Sequence, residues 1–177
     1  MGTSILLKNA DFSQSGFKTD VVLFDYLNLV GTGSYTMQTT FIYNSSLLYK
    51  GCVLMETAGK SLNKITLFIG ANTYHQSLIV AKYNTSTHDI TNIKTFGSTT
   101  FTAGQLNEFL LDEIVTLSEN EVILLTSETE HSGPDISGVD GLSGSVYRWN
   151  YVQASGTMPN PTNFYPRAPK AKVELVY

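Results

Sequence analysis

The 177-residue sequence predicts an all-β protein in which two antiparallel sheets pack as a sandwich. Two observations lead to this fold class. Short stretches rich in β-branched and aromatic residues recur along the chain, and clusters of Gly, Asn and Ser separate them. Hydrophobic residues make up 42% of the chain and charged residues only 15%, whereas a disordered chain combines low hydrophobicity with high charge. A chain of this length can bury a core without disulfides.

The predicted strands begin with the continuous apolar run 21–30, which ends at a Gly-Thr-Gly turn; a short helix is the alternative there. In the predicted strand 64–69, Ile65, Leu67 and Ile69 occupy alternate positions and therefore share one face. The other predicted strands of this part are 36–43, 78–83, 90–101 with a break at Gly97, and 122–126.

The segment 105–117 fits two structures, because a helical stripe and a strand face each contain a set of its apolar residues. We predict a strand, since the neighbouring segments are all predicted strands and only Glu113 departs from the alternation. A helix is the alternative. The helical set is Leu106, Phe109, Leu110, Ile114 and Leu117, and the strand set is Phe109, Leu111, Val115 and Leu117.

The clearest alternation in the chain lies at residues 146–152 and places Tyr147, Trp149 and Tyr151 on one face. Two interpretations remain open. The rings can belong to the core, which is the commoner situation for an aromatic strand face, or they can form an exposed platform on which a sugar stacks. These three residues are therefore the candidate ligand-binding residues.

The chain divides into a β-sandwich domain at 1–157 and a proline-rich arm with a terminal strand at 158–177. Four prolines within eleven residues predict an extended, non-helical arm. The alternating residues 172–177 predict a strand after this arm. Such a strand can pair with the sheet of its own chain or extend the sheet of a neighbour.

A glycine-rich loop predicted at 131–145 contains two carboxylates, Asp135 and Asp140. Calcium binds carboxylate and carbonyl oxygens, and an acidic loop can supply them, although the spacing does not match an EF-hand. The commoner explanation is a solvated loop that uses Asp and Gly for its turn geometry. Calcium is the one metal or cofactor that the sequence suggests.

The sequence contains few candidate catalytic side chains. Cys52 is the only cysteine and lies in an apolar stretch, which predicts a buried small hydrophobic residue rather than a nucleophile. The three histidines lie near predicted turns: His75, His88 and His131. The residues around them match no catalytic motif of known mechanism. We therefore predict that the protein is not an enzyme.

The charge and hydropathy of the sequence indicate which classes of partner are excluded. A net charge of −4 without a basic patch argues against nucleic acid. No apolar run approaches about 20 residues, the length of a membrane span, and the first residues lack the pattern of a secretory signal peptide. The interval between Lys94 and Arg148 is acidic, whereas the tail is basic. These charges form either solvated rims or complementary edges that meet between subunits.

Five segments carry a strand-and-turn pattern in common with known proteins: 49–51, 58–67, 80–84, 95–104 and 113–124. Together they resemble a recurring jelly-roll module of Bacteroidetes surface and secreted proteins and of structural or tail proteins of their phages. The resemblance implies a jelly-roll-like antiparallel β-sandwich that binds or assembles and does not catalyse. It assigns no ligand residues.

Three functional hypotheses result. The first, which we favour, is a non-enzymatic virion structural protein of a tailed phage, located in the tail, a fibre or the capsid decoration. It would form a homo-oligomer, have other virion proteins as partners and could contact cell-surface glycans, with neither nucleic acid nor membrane as a partner. The second is a carbohydrate-binding β-sandwich module of a bacterial surface or secreted protein. The third is a hydrolase in which a histidine meets an acid and a serine.

Overall fold

The computed structural model describes residues 18–28, 33–38, 41–44, 46–70, 77–87, 89–126, 135–140, 147–153, 163–165 and 167–177. Their regular structure consists of fourteen strands and two single 3-10 turns, at Met55–Thr57 and Ser98–Thr100. The strands are β1 (Val21–Asp25), β2 (Gly33–Gln38), β3 (Phe41–Asn44), β4 (Ser46–Leu54), β5 (Ser61–Phe68), β6 (Ser77–Asn84), β7 (Ile90–Gly97), β8 (Leu106–Thr116), β9 (Glu121–Thr126), β10 (Asp135–Asp140), β11 (Tyr147–Gln153), β12 (Asn163–Tyr165), β13 (Arg167–Pro169) and β14 (Ala171–Leu175). The predicted all-β class is confirmed.

Eight of the strands pair as one long hairpin that is rolled up. In chain order they are β1, β4, β5, β6, β7, β8, β9 and β14. The first pairs with the last, the second with the seventh, the third with the sixth and the fourth with the fifth, and all four pairs are antiparallel. This nested pairing is that of a jelly roll. It confirms the jelly-roll-like sandwich that the sequence predicts.

The rolled hairpin produces two sheets. The front sheet has the strand order β1-β14-β5-β8. The back sheet has the order β12-β11-β4-β9-β6-β7, and β3 also pairs with β4. The strands β2, β10 and β13 form a small third sheet, which meets the front sheet at a bridge between Ile69 and Ile136.

The main core lies between the front and back sheets. Ile65 and Leu67 of β5, together with Ile69 just after it, have no exposed area, so the shared face predicted for them is confirmed. Burying a side chain of this size contributes roughly 1.5–3 kcal/mol to folding. The apolar residues of β5 therefore hold the front sheet against the back sheet.

In the back sheet, β6, β9 and residues 52–54 at the end of β4 have buried side chains on both faces. In β9, Ile123 and Leu125 join the main core, while Val122 and Leu124 belong to a second apolar cluster on the opposite face. A strand covered on both sides carries a continuous apolar run, as residues 122–125 do. The other buried members of the second cluster are Val53, Ile79, Ala81 and Tyr83.

The segment 105–117, which fits both a helix and a strand, forms the strand β8. The residues of the predicted strand face are all buried: Phe109, Leu111, Val115 and Leu117. Glu113, which departs from the alternation, is exposed. The strand prediction is therefore confirmed, and the helical alternative is wrong.

An irregular pairing explains the position of Glu113. Leu62 of β5 lies opposite Val115 of β8, but Lys64, only two residues further on, lies opposite Leu110. The four residues of β8 between these two pairs therefore face a single residue of β5. Glu113 lies in this bulge without a partner on β5 and points to solvent, while the buried residues on either side of it, Leu111 and Val115, keep to the same face.

Two predicted strands have different limits in the structure. In the run 21–30, the strand β1 ends at Asp25, whose Oδ1 accepts a hydrogen bond from the backbone nitrogen of Leu27 at 3.0 Å, and residues 29 and 30 lie outside the described part. An aspartate that bonds to the backbone two residues further on starts a turn. The run 36–43 is divided between β2 and β3.

The C-terminal strand β14 pairs within its own chain, between β1 and β5. Ala171 and Val173 have no exposed area. Asn63 of β5 holds the residue that follows the strand, because its Nδ2 donates to the carbonyl oxygen of Val176 at 2.9 Å and its Oδ1 accepts from the Val176 nitrogen at 2.8 Å. Of the two arrangements open to this strand, the structure shows the one within the chain.

Phe109→Ala should lower the free energy of unfolding by about 3–5 kcal/mol, because it removes a ring from the centre of the main core. Phe109 is 1% exposed, and its ring centroid lies 5.0 Å from that of Phe96 and 5.9 Å from that of Phe101. Urea unfolding followed by circular dichroism measures the change. Leu110→Ala is the control, since Leu110 is 55% exposed, and it should cost less than about 1 kcal/mol. Equal losses in the two variants would contradict the alternation of β8.

Candidate functional site

The predicted aromatic face lies on β11, in the back sheet. β11 pairs with β4 on one side and with β12 on the other, and Trp149 lies opposite Cys52 of β4. Residues opposite each other in an antiparallel pair share a face of the sheet, and Cys52 belongs to the main core. The side chains of Tyr147, Trp149 and Tyr151 lie outside the described part of the structure. The choice between core and sugar platform therefore stays a prediction.

Residues 135–140, which hold the two candidate calcium ligands, form a strand, so the predicted loop is wrong for this part of 131–145. β10 runs from Asp135 to Asp140 and pairs along its whole length with β2. The physical reason is Ile136, which has no exposed area, belongs to the main core and bridges to Ile69. Asp135 and Asp140 stand at opposite ends of this strand, about 17 Å apart along an extended backbone. The strand does not bring them together, and their side chains lie outside the described residues.

The described residues contain neither a metal-holding cluster nor any of the three histidines. Among the residues that the structure describes, no group of three or more His, Cys, Asp or Glu side chains is arranged to hold a metal ion. His75, His88 and His131 all lie outside those residues. The calcium site and the histidine-based hydrolase stay predictions.

The prediction for Cys52 is confirmed. Its side chain is 2% exposed and belongs to the main core. Burial raises the pKa of the thiol well above its usual value, and the negative charge of Glu56 adds to this effect. A thiol with a raised pKa stays protonated, whereas a nucleophilic cysteine is a thiolate. Cys52 is therefore a packing residue.

A polar contact that the sequence does not reveal joins the end of β1 to the 3-10 turn after β4. The Oη of Tyr26 donates a hydrogen bond to Oε1 of Glu56 at 3.0 Å. The backbone nitrogen of Tyr26 donates to the carbonyl oxygen of Ala171 at 2.8 Å, and the ring lies 4.9 Å from that of Phe24. We name this contact the Tyr26–Glu56 clamp. Its two residues are 30 positions apart, so no local pattern connects them.

The clamp changes the ionisation of Tyr26. Burial, then the charge of Glu56 and the hydrogen bond to it, raise the pKa of Tyr26 to about 12. The second carboxylate oxygen, Oε2 of Glu56, is buried and has no hydrogen-bond partner among the described residues. At neutral pH the tyrosine keeps its proton and donates a hydrogen bond to the carboxylate. The clamp therefore works as a structural link between the two sheets.

The outer face of the front sheet carries four alternating charges, which we name the charge ladder. Nζ of Lys64 on β5 lies 2.7 Å from Oε1 of Glu108 on β8 and 3.9 Å from Oε2 of Glu174 on β14. Oε1 of Glu174 lies 2.6 Å from Nζ of Lys172. This hydrogen bond is the main cause of the raised pKa of Lys172, and the charges of Glu174, Asp25 and Glu108 contribute. Positive and negative groups thus alternate across three adjacent strands.

Exposed apolar side chains border the charge ladder on both edge strands of the front sheet. On β1, Val22 lies opposite Glu174 of the ladder and is 50% exposed. On β8, Leu106, Leu110 and Ile114 are 50%, 55% and 42% exposed. Large apolar side chains exposed together mark many contact surfaces. The outer face of the front sheet is therefore the candidate interaction surface.

Part of the acidic interval that follows Lys94 is paired within the chain. Glu108 meets Lys64 in the charge ladder, and Asp112 of β8 forms an ion pair with Lys94 of β7. These two acids are neutralised by neighbouring strands. The meeting of acidic and basic edges between subunits stays a prediction.

Comparison of the chain with protein-family models, with curated proteins and with solved structures found no match. The class that the fold defines is a jelly-roll β-sandwich, and the resemblance to modules of Bacteroidetes and their phages stays a prediction. Within the described residues, no helix has the length and apolar character that crossing a membrane requires.

The raised pKa of Tyr26 predicts a loss of stability at alkaline pH. The tyrosine releases its proton near pH 10 in the unfolded chain and near pH 12 in the folded chain, so its contribution is complete below pH 10 and is lost as the pH rises to 12. Over this interval, the free energy of unfolding of the wild type should fall by about 1 kcal/mol relative to Tyr26→Phe, since partial exposure of the ring weakens the effect. Urea unfolding at a series of alkaline pH values measures this difference.

Glu56→Gln is the matched variant for this experiment, because it removes the charge and leaves the tyrosine. Its profile should lie between those of the wild type and Tyr26→Phe. If the free energy of unfolding depends on pH in the same way in the wild type and in Tyr26→Phe, the clamp is not coupled to the ionisation of Tyr26.

Proposed function

We propose that the chain is a non-enzymatic structural protein of a tailed-phage particle, part of the tail, a fibre or the capsid decoration, and that it assembles as a homo-oligomer. The observation that carries this proposal is the rolled pairing of eight strands, because the jelly roll is an architecture of viral capsid domains. The sequence resemblance to phage structural and tail proteins supports it. Since one fold can host several functions, the proposal also rests on the ionisable groups and on the surface.

The described ionisable groups whose pKa values are shifted suit a structural role. The pKa values of Cys52 and Tyr26 are both raised, by burial above all, so both groups hold their protons at neutral pH. A nucleophilic thiol or a basic tyrosinate needs a shift in the opposite direction. The pKa of Glu121 is lowered mainly because its carboxylate accepts a hydrogen bond from the backbone nitrogen of Ser118, which stabilises a turn. These groups serve the core, the clamp and a turn.

The outer face of the front sheet suits assembly with other proteins. The charge ladder presents both signs side by side, and the apolar border on β1 and β8 releases water when another protein covers it. A second copy of the chain is the simplest partner, because most oligomers of soluble proteins are built from identical subunits. Other virion proteins are the further partners that the proposal implies.

Intact phage particles should contain this chain. Mass spectrometry of particles purified on a density gradient should detect it in fixed proportion to the other structural proteins, and gold-labelled antibodies should bind one defined part of the particle. Light scattering of the purified chain should give the mass of a closed oligomer, a trimer for an attachment or decoration role. Soluble host proteins from the same lysate are the control and should be missing from the particle fraction. Intact particles without this chain would overturn the proposal.

The alternative function is a carbohydrate-binding module, because the jelly roll is also an architecture of lectin domains. β11, which extends the back sheet beyond β4, carries Tyr147, Trp149 and Tyr151 at alternate positions. Exposed rings in such a row would offer a stacking surface for a sugar. A monomer in solution would favour this alternative.

If the aromatic residues bind glycans, Trp149→Ala should lose affinity by about tenfold or more on a glycan array, since stacking on the ring is lost. Tyr177→Ala is the matched control, because Tyr177 is an aromatic residue outside this strand and is 57% exposed; it should bind as the wild type does. Fluorescence of Trp149, the only tryptophan, provides a second measurement. A folded Trp149→Ala variant with unchanged binding would remove these residues from consideration.

A further inference from the structure

β8 is a long strand at the edge of the front sheet. It has 11 residues, and no other strand pairs with its outer side within the described part of the chain. The backbone groups on a free edge can pair with a strand from another molecule. Three apolar side chains of β8, Leu106, Leu110 and Ile114, are also exposed. Length and exposed apolar residues would make an open edge of this kind a docking site for an added strand.

Two lysines from the back sheet cover this edge. Nζ of Lys94 on β7 donates a hydrogen bond to the carbonyl oxygen of Leu110 at 3.0 Å and pairs with Asp112. Nζ of Lys82 on β6 donates to the carbonyl oxygen of Thr116 at 3.1 Å. Both ammonium groups occupy acceptors that an added strand would need. An added strand would also have to displace or desolvate these charges, which is unfavourable.

Packing holds Lys94 in this position. Its side chain is 26% exposed, and Nζ lies 5.0 Å from the centroid of the Phe96 ring, a favourable distance for a cation above an aromatic face. Phe96 itself packs edge-on against Phe109 in the main core, with the ring centroids 5.0 Å apart. The lysine is therefore anchored through the core rather than free to sample the solvent.

We propose that Lys82 and Lys94 keep the β8 edge closed, and that β8 of a second copy pairs with it once they are removed. Once the bulged residues 111–114 adopt regular strand geometry, an antiparallel pair of β8 strands centred on Leu110 sets this residue against its own copy and sets Glu108 against Asp112 of the other copy. Apolar residues then meet at the centre. The opposed acids are an additional barrier, because like charges directly opposite each other destabilise a strand pair. This inference stands whether or not the protein belongs to a phage particle.

The test removes the two lysines together with the acid that Lys94 neutralises. The variant Lys82→Met/Lys94→Met/Asp112→Asn frees both carbonyl groups and ends the opposition of Glu108 and Asp112. The matched control is Lys64→Met/Glu108→Gln. It removes an ion pair of 2.7 Å from the same sheet and one of the two opposed acids, but it leaves both lysines on the edge.

The triple variant should double its mass relative to the wild type in light scattering as its concentration rises, and the control should keep the wild-type mass. Amide hydrogens of β8 should exchange more slowly in the larger species. A synthetic peptide of residues 105–117 should bind the triple variant about tenfold or more tightly than the wild type. A folded triple variant with wild-type mass and no gain in peptide binding would overturn the proposal.

A second variant covers the case in which the triple variant does not fold. Lys94→Met alone frees the carbonyl oxygen of Leu110, and Lys94→Arg retains a donor at the same position. Peptide binding that increases in Lys94→Met and not in Lys94→Arg supports the closed edge. Equal peptide binding in both variants contradicts it.

Discussion

The insertion of β14 between β1 and β5 closes the molecule. Val173, which has no exposed area, lies opposite Phe24 of β1 on one side and Ile65 of β5 on the other. Burial of apolar surface is the dominant favourable term in folding, and the inner face of the front sheet becomes continuous only with this strand in place. The outer face depends on the same pairing, because Glu174 follows Val173 on β14 and joins the charge ladder to β5.

The polar contacts determine surface properties more than they stabilise the sandwich. Ion pairs with an exposed acid, such as Lys64–Glu108 and Lys94–Asp112, contribute about 0–1 kcal/mol each, which is small beside the burial of the core. The ladder around Lys64 and the contacts of Lys94 instead set the charge pattern that the outer face and the β8 edge of the front sheet present. These contacts could not be predicted from the sequence. The partners in Tyr26–Glu56 are 30 positions apart, and their meeting depends on how the strands are arranged in space.

The parts of the fold that depend on burial could be predicted, because a half-buried strand must alternate. The shared face of Ile65, Leu67 and Ile69 and the strand character of β8 both follow from this rule. The strand Asp135–Asp140 could not be predicted, since its Asp and Gly residues are typical of turns. One apolar anchor, Ile136, and a full ladder with β2 outweigh that local preference. The aromatic residues of β11 were located on a strand, but alternation alone does not distinguish a buried face from a binding face.

The nested pairing has a consequence for how the chain reaches its native state. Among the described strands β1 comes first in chain order and β14 last, yet Val21 faces Leu175. Proteins dominated by such non-local pairs have a high contact order and fold on the scale of milliseconds to seconds rather than microseconds. A nascent chain emerging from the ribosome would therefore hold β5 without one of its two neighbours until β14 is synthesised. During that interval its apolar residues are a natural substrate for chaperones.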